Sequence, residues 1–390
     1  MTDRTIHWLA VGMAMAIAAT AAAGAKEKPV SPSPRADGYQ VAVYYFPNWH
    51  RRAAGPGGKE VFGEWDRLAA ARQRFDGHVQ PKTPLWGAQD ETDPAVMAQK
   101  IDAAADHGVD AFLFDWYYND HGTFLERPLN EGYLKAPNHR RVKFALMWAN
   151  HNLRGGKGAV GRATFDKLVA HVVADYLTHP AYWKVGGRPY FSIYQIHTFV
   201  EGLGGVDGAA KAIEHFRAQA RKAGLQGVHI NVVDFQIKNR PDAAALLKRL
   251  GADSVTSYVW VHIVRLKNFP QTDFGHVQRR YLDYWQRIGD RYGVPFYPNA
   301  TMGWDSTPRI APGQPHDGRG YPNTAIIAGN TPARFKQALA AIKARLAKAP
   351  ADQRIVTINA WNEWTEGSYL EPDTVHKMAY LEAIRDVFGR

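Results

Sequence analysis

The chain has 390 residues, of which 45% are hydrophobic and 22% charged, a balance typical of a globular protein and not of a disordered chain. It has no cysteine, which excludes a disulfide scaffold, a cysteine nucleophile, a zinc finger and an iron–sulfur cluster. The net charge of +11 permits nucleic acid, a membrane surface or an anionic polymer as partner and selects none of them.

The first 25 residues have the organisation of a secretory signal peptide. Arg4 supplies the positive charge, residues 8–20 form a short apolar core, and residues 23–25 (Ala-Gly-Ala) resemble a cleavage site. The core, at about 13 residues, is shorter than the roughly 20 that a transmembrane helix needs, although an uncleaved anchor stays an alternative. We therefore expect cleavage after Ala25, a proline-containing linker over residues 26–38, and a secreted or periplasmic protein without stable membrane insertion.

Short apolar runs alternate with amphipathic stretches along residues 39–390. Eight runs predict strands, at residues 41–46, 111–115, 143–148, 190–194, 229–233, 254–258, 295–299 and 355–359. Helical periodicity is found at residues 94–107, 165–177, 208–223, 242–250, 277–292, 332–347 and 378–387. This alternation predicts an α/β fold with a single domain, a (β/α)8 TIM barrel.

Local signals support the helices and the barrel. Pro94 and Pro332 each follow a capping residue, Asp or Thr, as prolines do at helix N-termini. An open doubly wound sheet is the alternative fold, but no Gly-x-Gly-x-x-Gly loop follows the first strand. The strand spacing predicts long loops after strands one and seven, residues 47–93 and 300–330, on the side of a barrel where active sites are built.

Glutamate is scarce, with 12 residues in the chain, yet Glu363, Glu366 and Glu371 lie in one short segment after the eighth strand. If the chain turns before Gly367, the Cβ atoms of Glu363 and Glu366 lie about 5–6 Å apart on one side, whereas an extended strand would separate them. That proximity suits a pair of glycosidase carboxylates, one of which acts as an acid. A solvated acidic loop and a divalent-metal site are alternatives, but the sequence has no Asp-x-Asp and no His-Glu-x-x-His.

The ends of the other predicted strands carry aromatic and polar residues that suit a saccharide cleft. Trp and Tyr faces stack on sugar C–H surfaces, and Asn, Asp and His hydrogen-bond to hydroxyls. Each could instead be a packed core residue, but seven of the eleven tryptophans after residue 25 fall at such ends. The candidate substrate-binding residues are Tyr44, Tyr45, Trp49, His50, Asp115, Trp116, Tyr117, Trp148, Asn150, His151, Tyr194, Tyr258, Trp260, Trp304, Asp305, Trp361, Asn362 and Trp364.

Four segments resemble glycoside hydrolase family 99 and the WbsX-like proteins grouped with it. They are Val-Tyr-Tyr-Phe-Pro-Asn-Trp-His (43–50), Gly-Val-Asp-Ala-Phe-Leu-Phe-Asp-Trp-Tyr-Tyr (108–118), Phe-Ala-Leu-Met-Trp-Ala-Asn-His (144–151) and Asn-Glu-Trp-Thr-Glu-Gly (362–367). The last is the most specific, and Asp-Glu-Thr-Asp-Pro at 90–94 is typical of the WbsX-like group. The resemblance covers residues 39–390 and implies one catalytic (β/α)8 barrel.

The resemblance also implies a metal-independent, retaining endo-glycosidase without a cofactor, and the characterised members of the family act on α-mannosides. It implies that Glu363 is the base and Glu366 the acid/base, and that the base deprotonates the 2-hydroxyl of the substrate to give an anhydro sugar. A hydroxyl held beside the anomeric carbon is an intramolecular nucleophile of high effective molarity.

Two other functions stay open: a glycosyltransferase of surface polysaccharide assembly and a non-catalytic glycan-binding barrel. The signal peptide and the missing Asp-x-Asp and nucleotide-binding motifs argue against the transferase, and the presence of both glutamates argues against the binding protein. Basic residues occur as dispersed pairs such as Arg279 and Arg280, which argues against nucleic acid. The expected partner is a polysaccharide or glycan, and the net charge suggests an acidic one.

Overall fold

The computed structural model describes residues 35–50, 63–152 and 156–389. The predicted signal peptide, residues 1–25, lies outside the described residues, as does most of the predicted linker, residues 26–38. Arg35, within that linker, is buried and donates through Nε to the Phe388 carbonyl at 2.5 Å. Among the described residues, no helix has both the length and the apolar character that a membrane crossing needs.

Eight parallel strands form the central sheet. They are β1 Gln40–Tyr45, β2 Ala111–Asn119, β3 Lys143–Trp148, β4 Arg188–Ile193, β5 His229–Val233, β6 Ser254–Thr256, β7 in two pieces, Phe296–Tyr297 and Asn299–Thr301, and β8 Ile355–Asn359. Shorter strands lie at Gly122–Phe124, Lys184–Val185, Gln271–Asp273, Ile326–Ala328, Asn362–Glu363 and Ser368–Tyr369.

The sheet curls into a ring, so the predicted (β/α)8 barrel is confirmed. β1 lies between β8 and β2, with Val41 opposite Val356 and Ala42 opposite Ala111. The first piece of β7 pairs with β6 and the second with β8, which joins the two ends of the sheet. β7 is interrupted at Pro298, which has no N–H to donate, but its carbonyl accepts from the Thr357 amide at 2.9 Å.

Helices surround the barrel, and the described residues contain nine α-helices. They are α1 Glu64–Ala69, α2 Pro94–Asp106, α3 Arg162–Val172, α4 Ile196–Gly202, α5 Val206–Lys222, α6 Ala243–Leu250, α7 Phe274–Ile288, α8 Pro332–Leu346 and α9 Ala379–Phe388. Single turns of 3-10 or π-helix lie at Pro128–Tyr133, His139–Arg141, Val173–Leu177, Asp234–Gln236, Trp260–His262, Gly289–Tyr292, Thr307–Arg309, Ala351–Gln353 and Trp364–Glu366. The two predicted caps are present, because the side chains of Asp93 and Thr331 accept hydrogen bonds from backbone amides of α2 and α8.

The apolar periodicity of the helices matches their packing against the strands. The buried face of α5 has the spacing of an amphipathic helix, with Ala209, Ala212, Ile213, Phe216 and Ala220. The ring of Phe216 meets Phe191 of β4 edge-on, with centroids 5.2 Å apart. Burying one such phenylalanine stabilises the fold by about 2 kcal/mol, so the layer between helices and strands fixes the barrel that carries the site.

Two long loops meet above the carboxyl ends of the strands, as the strand spacing predicts. The loop after β1 includes α1, and the loop after β7 includes residues 302–325. They touch through His78 and Asp305, whose Nε2 and Oδ2 atoms are 2.8 Å apart, and through Arg74, which donates to the Gln314 carbonyl at 2.9 Å. These contacts enclose the end of the barrel where the site lies.

Candidate active site

A tight hairpin after β8 carries the two candidate catalytic glutamates. Asn362–Glu363 pairs antiparallel with Ser368–Tyr369, and a 3-10 turn, Trp364–Glu366, joins them. Gly367 ends the turn with φ of 62°, and a Cβ there would lie 2.8 Å from the amide nitrogen of Asp305. Only glycine suits both the dihedral angle and the close approach, and the turn that the sequence predicts is present.

Arg309, from the loop after β7, bridges the two carboxylates. Its Nη2 atom is 3.1 Å from Glu363 Oε2, and its Nη1 atom is 3.1 Å from Glu366 Oε1. Its Nε donates to Thr365 Oγ1 at 2.9 Å. The guanidinium therefore contacts three residues of the hairpin, Glu363, Thr365 and Glu366. The two carboxylates therefore face the same side, and one cation is shared between them.

Two further side chains complete this arrangement. The Tyr321 hydroxyl donates to Glu366 Oε1 at 2.9 Å and accepts from Arg309 Nη1 at 2.6 Å. Glu64 at the start of α1 accepts from Thr365 Oγ1 at 2.6 Å. Both long loops thus reach the hairpin, and each places a polar group on it.

The glutamates open into a cavity of about 660 Å³ at the carboxyl end of the barrel. Eight of the twenty predicted site residues line it: Asp115, Tyr117, His151, Tyr194, Tyr258, Trp304, Glu363 and Glu366. The remaining lining residues are Phe46, Met147, Ala149, Val261, His262, Arg265, Leu266, Arg309, Gly318, Gly320, Tyr321, Thr324 and Ala325. Its volume lies in the range of small-molecule and oligosaccharide sites.

Burial and mutual charge set the protonation of the acids in the cavity. Burial raises the pKa of Glu363 well above its ordinary value, the neighbouring Glu366 raises it further, and Arg309 opposes both effects. Burial likewise raises the pKa of Asp115, although its Oδ2 accepts from the Tyr258 hydroxyl at 2.9 Å. The cavity therefore favours carboxyl groups that hold a proton at a higher pH than in water.

Two histidines on the cavity wall are neutral near pH 7. Burial lowers the pKa of His151 and of His262 to about 4. His151 Nδ1 and Asp115 Oδ1 have no hydrogen-bond partner among the described residues. Both atoms are buried beneath the cavity wall, so a side chain must move before a ligand hydroxyl can reach them.

The other twelve predicted site residues lie outside the cavity. They are Tyr44, Tyr45, Trp49, His50, Trp116, Trp148, Asn150, Trp260, Asp305, Trp361, Asn362 and Trp364. Successive side chains of a strand point to opposite faces, which explains why several of these residues lie outside the cavity. In β2, Asp115 and Tyr117 face the cavity. Trp116, between them, points outward and donates through Nε1 to Glu126 at 2.8 Å.

The tryptophans do not form the sugar-stacking surface that their positions predict. Of the seven beyond strand ends, only Trp304 lines the cavity in the described part of the chain. The other six are at most 2% exposed and pack in the protein interior: Trp49, Trp116, Trp148, Trp260, Trp361 and Trp364. A barrel enclosed by helices and long loops buries large side chains just past its strand ends, and this packing accounts for most of them.

Several residues outside the cavity hold the hairpin in place. The Asn362 side chain donates to the Phe46 carbonyl at 2.9 Å and accepts from the Phe46 amide at 2.8 Å. The Asp305 amide donates to the Glu366 carbonyl at 2.5 Å. Trp364 stacks on Tyr369 with ring centroids 3.7 Å apart. These contacts fix the turn from both sides.

Beneath the hairpin lies a buried ionic cluster that the sequence analysis does not identify. Lys100, on α2, places Nζ 2.7 Å from Glu91 Oε1 and 2.5 Å from Glu371 Oε1. Glu91 also accepts from the Tyr45 hydroxyl and from Asn362 Nδ2, each at 2.8 Å. The helical period of α2 marks position 100 as inward-facing, and a lysine there is a signal for a buried acidic partner.

Arg309, Tyr321 and Glu64 are also absent from the predicted site. Glu64 begins the short helix α1, Arg309 ends a 3-10 turn and Tyr321 lies in irregular chain, so none of them belongs to a long periodic pattern that gives the direction of a side chain. Among the described residues, no group of three His, Asp or Glu side chains is arranged to hold a metal ion.

The chain is similar to a known family and to curated proteins of known sequence. The chain matches the family model described as Glycosyltransferase WbsX over residues 41–384. The proteins named "Uncharacterized protein WxcX" from two strains of Xanthomonas campestris pv. campestris are 31% and 30% identical to it over 375 residues. The matches cover 90% of this chain and 50% of each relative, so the chain spans about half the length of the curated relatives it matches.

Solved structures share the fold at low identity. The GH99 endo-α-mannosidase from Bacteroides thetaiotaomicron, in complex with BIS-TRIS-propane, superposes with a TM-score of 0.58 at 16% identity, over 88% of this chain and 94% of that one. A glycoside hydrolase-like protein gives a TM-score of 0.60 at 13% identity, over 90% and 94%. The resemblance to the WbsX-like proteins is confirmed as a family match from β1 into α9, and the resemblance to glycoside hydrolase family 99 is confirmed at the level of fold. The chain belongs to the family described as Glycosyltransferase WbsX.

Proposed function

We propose that the protein is an exported, retaining endo-glycosidase that hydrolyses α-mannoside-like bonds in a polysaccharide or glycan, with residues 39–390 as its catalytic unit. The observation that carries the proposal is the pair Glu363 and Glu366, each 3.1 Å from Arg309 and both open to the cavity. A retaining glycosidase needs two carboxyl groups beside one glycosidic bond. The signal-like residues 1–25 support export.

In the first step Glu363 is the base and Glu366 the acid. Glu363 takes the proton of the 2-hydroxyl, and that oxygen attacks C1 of the same sugar as the bond from C1 to the leaving oxygen breaks. Glu366 gives its proton to the leaving oxygen, so the first product departs as an alcohol and the remaining sugar is a 1,2-anhydro sugar. Because the nucleophile belongs to the substrate, its effective concentration is high.

In the second step water opens the anhydro sugar. Glu366 takes a proton from the water, the water oxygen attacks C1, and Glu363 returns its proton to O2. Two inversions at C1 leave the configuration retained, and both glutamates return to their starting states. No bond forms between the protein and the sugar.

The electrostatics of the pair support these roles. A carboxylate is a stronger base when its pKa is raised, and burial raises the pKa of Glu363. Arg309 opposes that rise and so favours the ionised form that the first step requires. Tyr321 and Arg309 both contact Glu366 Oε1 and hold the carboxyl group towards the cavity.

The lining of the cavity supports a sugar as ligand. The neutral His151 and Asp115 place polar side chains on the cavity wall, while Tyr117 and Trp304 offer aromatic faces. Sites built to recognise hydroxyls combine a few such polar groups with apolar surface.

The test is turnover of defined glycans. The purified protein is incubated with α-linked manno-oligosaccharides and with a panel of bacterial surface polysaccharides, with and without EDTA, and new reducing ends are measured. We expect release of oligosaccharides whose first-formed anomer, followed by NMR, has the configuration of the substrate. Synthetic 1,2-anhydromannose should be hydrolysed by the wild type and more slowly by Glu366→Gln.

Matched variants assign the roles. Glu363→Gln and Glu366→Gln should each lower kcat by at least about 100-fold with an unchanged melting temperature, since each removes one proton-transfer group. Glu382→Gln, an exposed change on α9, is the control and should keep full activity. Near-wild-type turnover by either active-site variant contradicts the assignment.

A glycosyltransferase is the second candidate, favoured by the description of the family model. It predicts transfer of a sugar from a nucleotide donor to a glycan acceptor. Transfer that needs the donor, with no cleavage of any glycan in its absence, would select this function over hydrolysis. Unaltered glycan binding by Glu366→Gln, with no reaction by either form, would instead indicate a glycan-binding barrel.

A further inference from the structure

A basic groove lies beside the active-site cavity on the same end of the barrel. Its volume is about 570 Å³, and the loop after β5, the loop after β6 and helix α7 form its walls. Its basic lining residues are Lys238, Arg265, Lys267, His276, Arg280 and Arg287. None of the described residues that line it is acidic, so the groove gathers much of the positive charge of this end of the protein.

Helix α7 presents its basic residues to the groove in a line. His276, Arg280, Tyr284 and Arg287 are spaced by four, four and three positions, which places them on one face of a helix. Arg279, next to Arg280 in sequence, instead acts on Asp273, whose pKa it helps to lower. Arg280 therefore faces the groove, whereas Arg279 does not line it.

The groove adjoins the catalytic cavity at Arg265, which lines both. A single stretch of chain, residues 261–267, forms the boundary: Leu266 faces the cavity and Lys267 the groove. On the far side, a smaller depression of about 270 Å³ shares Lys238 and Arg287 with the groove. A polymer chain that extends from the cavity past Arg265 would meet a surface lined with cations.

Acidic groups of the protein neutralise this charge only in part. Arg280 is 4.0 Å from Asp283, and both side chains are more than half exposed, so water and salt screen this pair. Lys238 donates to the carbonyl of His262, which carries no net charge. Asp234 lies below the groove, where it accepts from the Tyr284 hydroxyl at 2.7 Å, and burial raises its pKa to about 7.

From these observations, and resting on the proposed function, we infer that the substrate is an acidic polysaccharide whose carboxylate-bearing sugars lie in this groove while a neighbouring bond lies at Glu363 and Glu366. Guanidinium groups match carboxylates in shape and charge and can bind them through two parallel hydrogen bonds. A neutral mannan has no group that uses these cations.

The test measures binding in the Glu366→Gln background, so that turnover is not required. The probes are oligomers of polygalacturonate and alginate, each compared with its carboxyl-reduced counterpart by calorimetry at fixed ionic strength. We expect the acidic form of at least one probe to bind about tenfold more tightly than its reduced form. Arg280→Gln/Arg287→Gln should weaken binding of that acidic probe about tenfold, a loss of about 1.4 kcal/mol, and leave the reduced probe unaffected.

A matched double variant separates the groove from the overall charge. Lys211→Gln/Lys222→Gln removes the same number of charges from the exposed face of α5 and should leave the affinity for the acidic probe unchanged. Equal losses in both double variants, equal binding of acidic and reduced probes, or no binding of either acidic probe would overturn the inference. So would tighter groove-dependent binding of duplex DNA or phosphatidylglycerol vesicles.

Turnover by the wild type distinguishes the inference from the function on which it rests. Groove-dependent binding of an acidic probe, together with no cleavage of any glycan by the wild type, would contradict hydrolysis and support the acidic ligand. Cleavage of a neutral mannan, with no effect of carboxylates on binding, would support hydrolysis and overturn the acidic substrate.

Discussion

Arg309 contacts both candidate catalytic carboxylates, and its charge acts on the protonation of Glu363. In the proposed mechanism Glu363 must be ionised, so kcat/KM falls as the pH drops through its pKa. Because Arg309 lowers that pKa, Arg309→Gln should raise it and move the acid limb of the pH–rate profile to higher pH. The profile of kcat/KM for wild type and variant measures this shift.

A control variant and a direct titration of Glu363 test the Arg309 prediction even if Arg309→Gln has no turnover. Arg319→Gln removes an arginine that is 86% exposed and should leave the acid limb where it is. The titration of Glu363 itself can be followed by carbon NMR in protein labelled at glutamate. An unchanged titration in Arg309→Gln would mean that the guanidinium does not set the pKa of this carboxyl group.

Lys100 is the cation shared by the two carboxyl groups of the buried ionic cluster beneath the hairpin. Its ammonium is 1% exposed and contacts Glu91 and Glu371, so Lys100→Met leaves two buried carboxyl groups without their cation. Removing one partner from a buried ion pair destabilises a protein by about 3–5 kcal/mol. We expect a loss of this size in the free energy of unfolding by urea, together with reduced turnover, because Glu91 accepts from Asn362 of the hairpin.

The pH dependence of this loss of stability tests whether the ionisation of Glu91 causes it. The pKa of Glu91 is raised by burial to about 7, and Lys100 opposes the rise. The folded protein thus favours the protonated carboxyl, a contribution to stability that is fully present below pH 4.5 and lost as the pH rises through 7. The difference between Lys100→Met and wild type should be larger at pH 8 than at pH 5. Lys336→Met, which removes an exposed ion pair, should cost under about 1 kcal/mol at both values.

At the scale of elements, the hairpin after β8 depends on one glycine. Gly367 and Gly87 both have φ near 70°, but a Cβ at position 367 would lie 2.6 Å from Asp305 Cβ, whereas one at position 87 meets no atom within 4 Å. Gly87→Ala should therefore cost only the dihedral strain, about 1 kcal/mol. Gly367→Ala should cost more in urea unfolding and should also lower kcat, because the turn that carries Glu366 must shift. Equal effects of the two variants would contradict a role for the close approach.

The elements themselves could be predicted because their residues repeat with the period of the structure. The strand predicted at 355–359 is β8, and capping residues mark the starts of α2 and α8. The Glu363 and Glu366 pair could be found because both residues lie in one short turn after a strand, where local spacing fixes proximity. Such patterns extend over only a few residues. A single sequence therefore predicts the local elements and turns that these patterns encode.

The direction of a side chain could not be predicted where it depends on contacts with residues far away in the sequence. Trp116 and Asp115 are adjacent, and only the extension of β2 to Asn119 determines that the carboxyl faces the cavity and the indole does not. Arg309 and Tyr321 reach the glutamates from a long loop whose path is set by contacts such as the one between His78 and Asp305. Those contacts join residues more than 200 positions apart, and no local pattern records them.

At the scale of the whole molecule, Arg35 joins three parts of the chain at the end of the barrel opposite the cavity. It donates to the Phe388 carbonyl at the end of α9, to the Tyr39 carbonyl before β1 at 3.0 Å, and to the carboxylate of Asp110 before β2. Arg35 is 3% and Asp110 14% exposed, so little water screens the pair. A residue inside a segment expected to be a linker thus closes the barrel at its base.

Arg35→Ala should therefore lower the free energy of unfolding by about 3 kcal/mol, because the largely buried Asp110 carboxylate loses its cation and two carbonyls lose this donor. Its kcat should stay unchanged, since these contacts lie away from Glu363 and Glu366. Lys348→Ala, an exposed change near the same end, should alter stability by less than about 0.5 kcal/mol. A chain that begins at Arg35 should unfold at the same urea concentration as one that begins at Lys26, whereas one that begins at Ala36 should unfold earlier. If all three unfold together, the segment before β1 contributes nothing to the barrel.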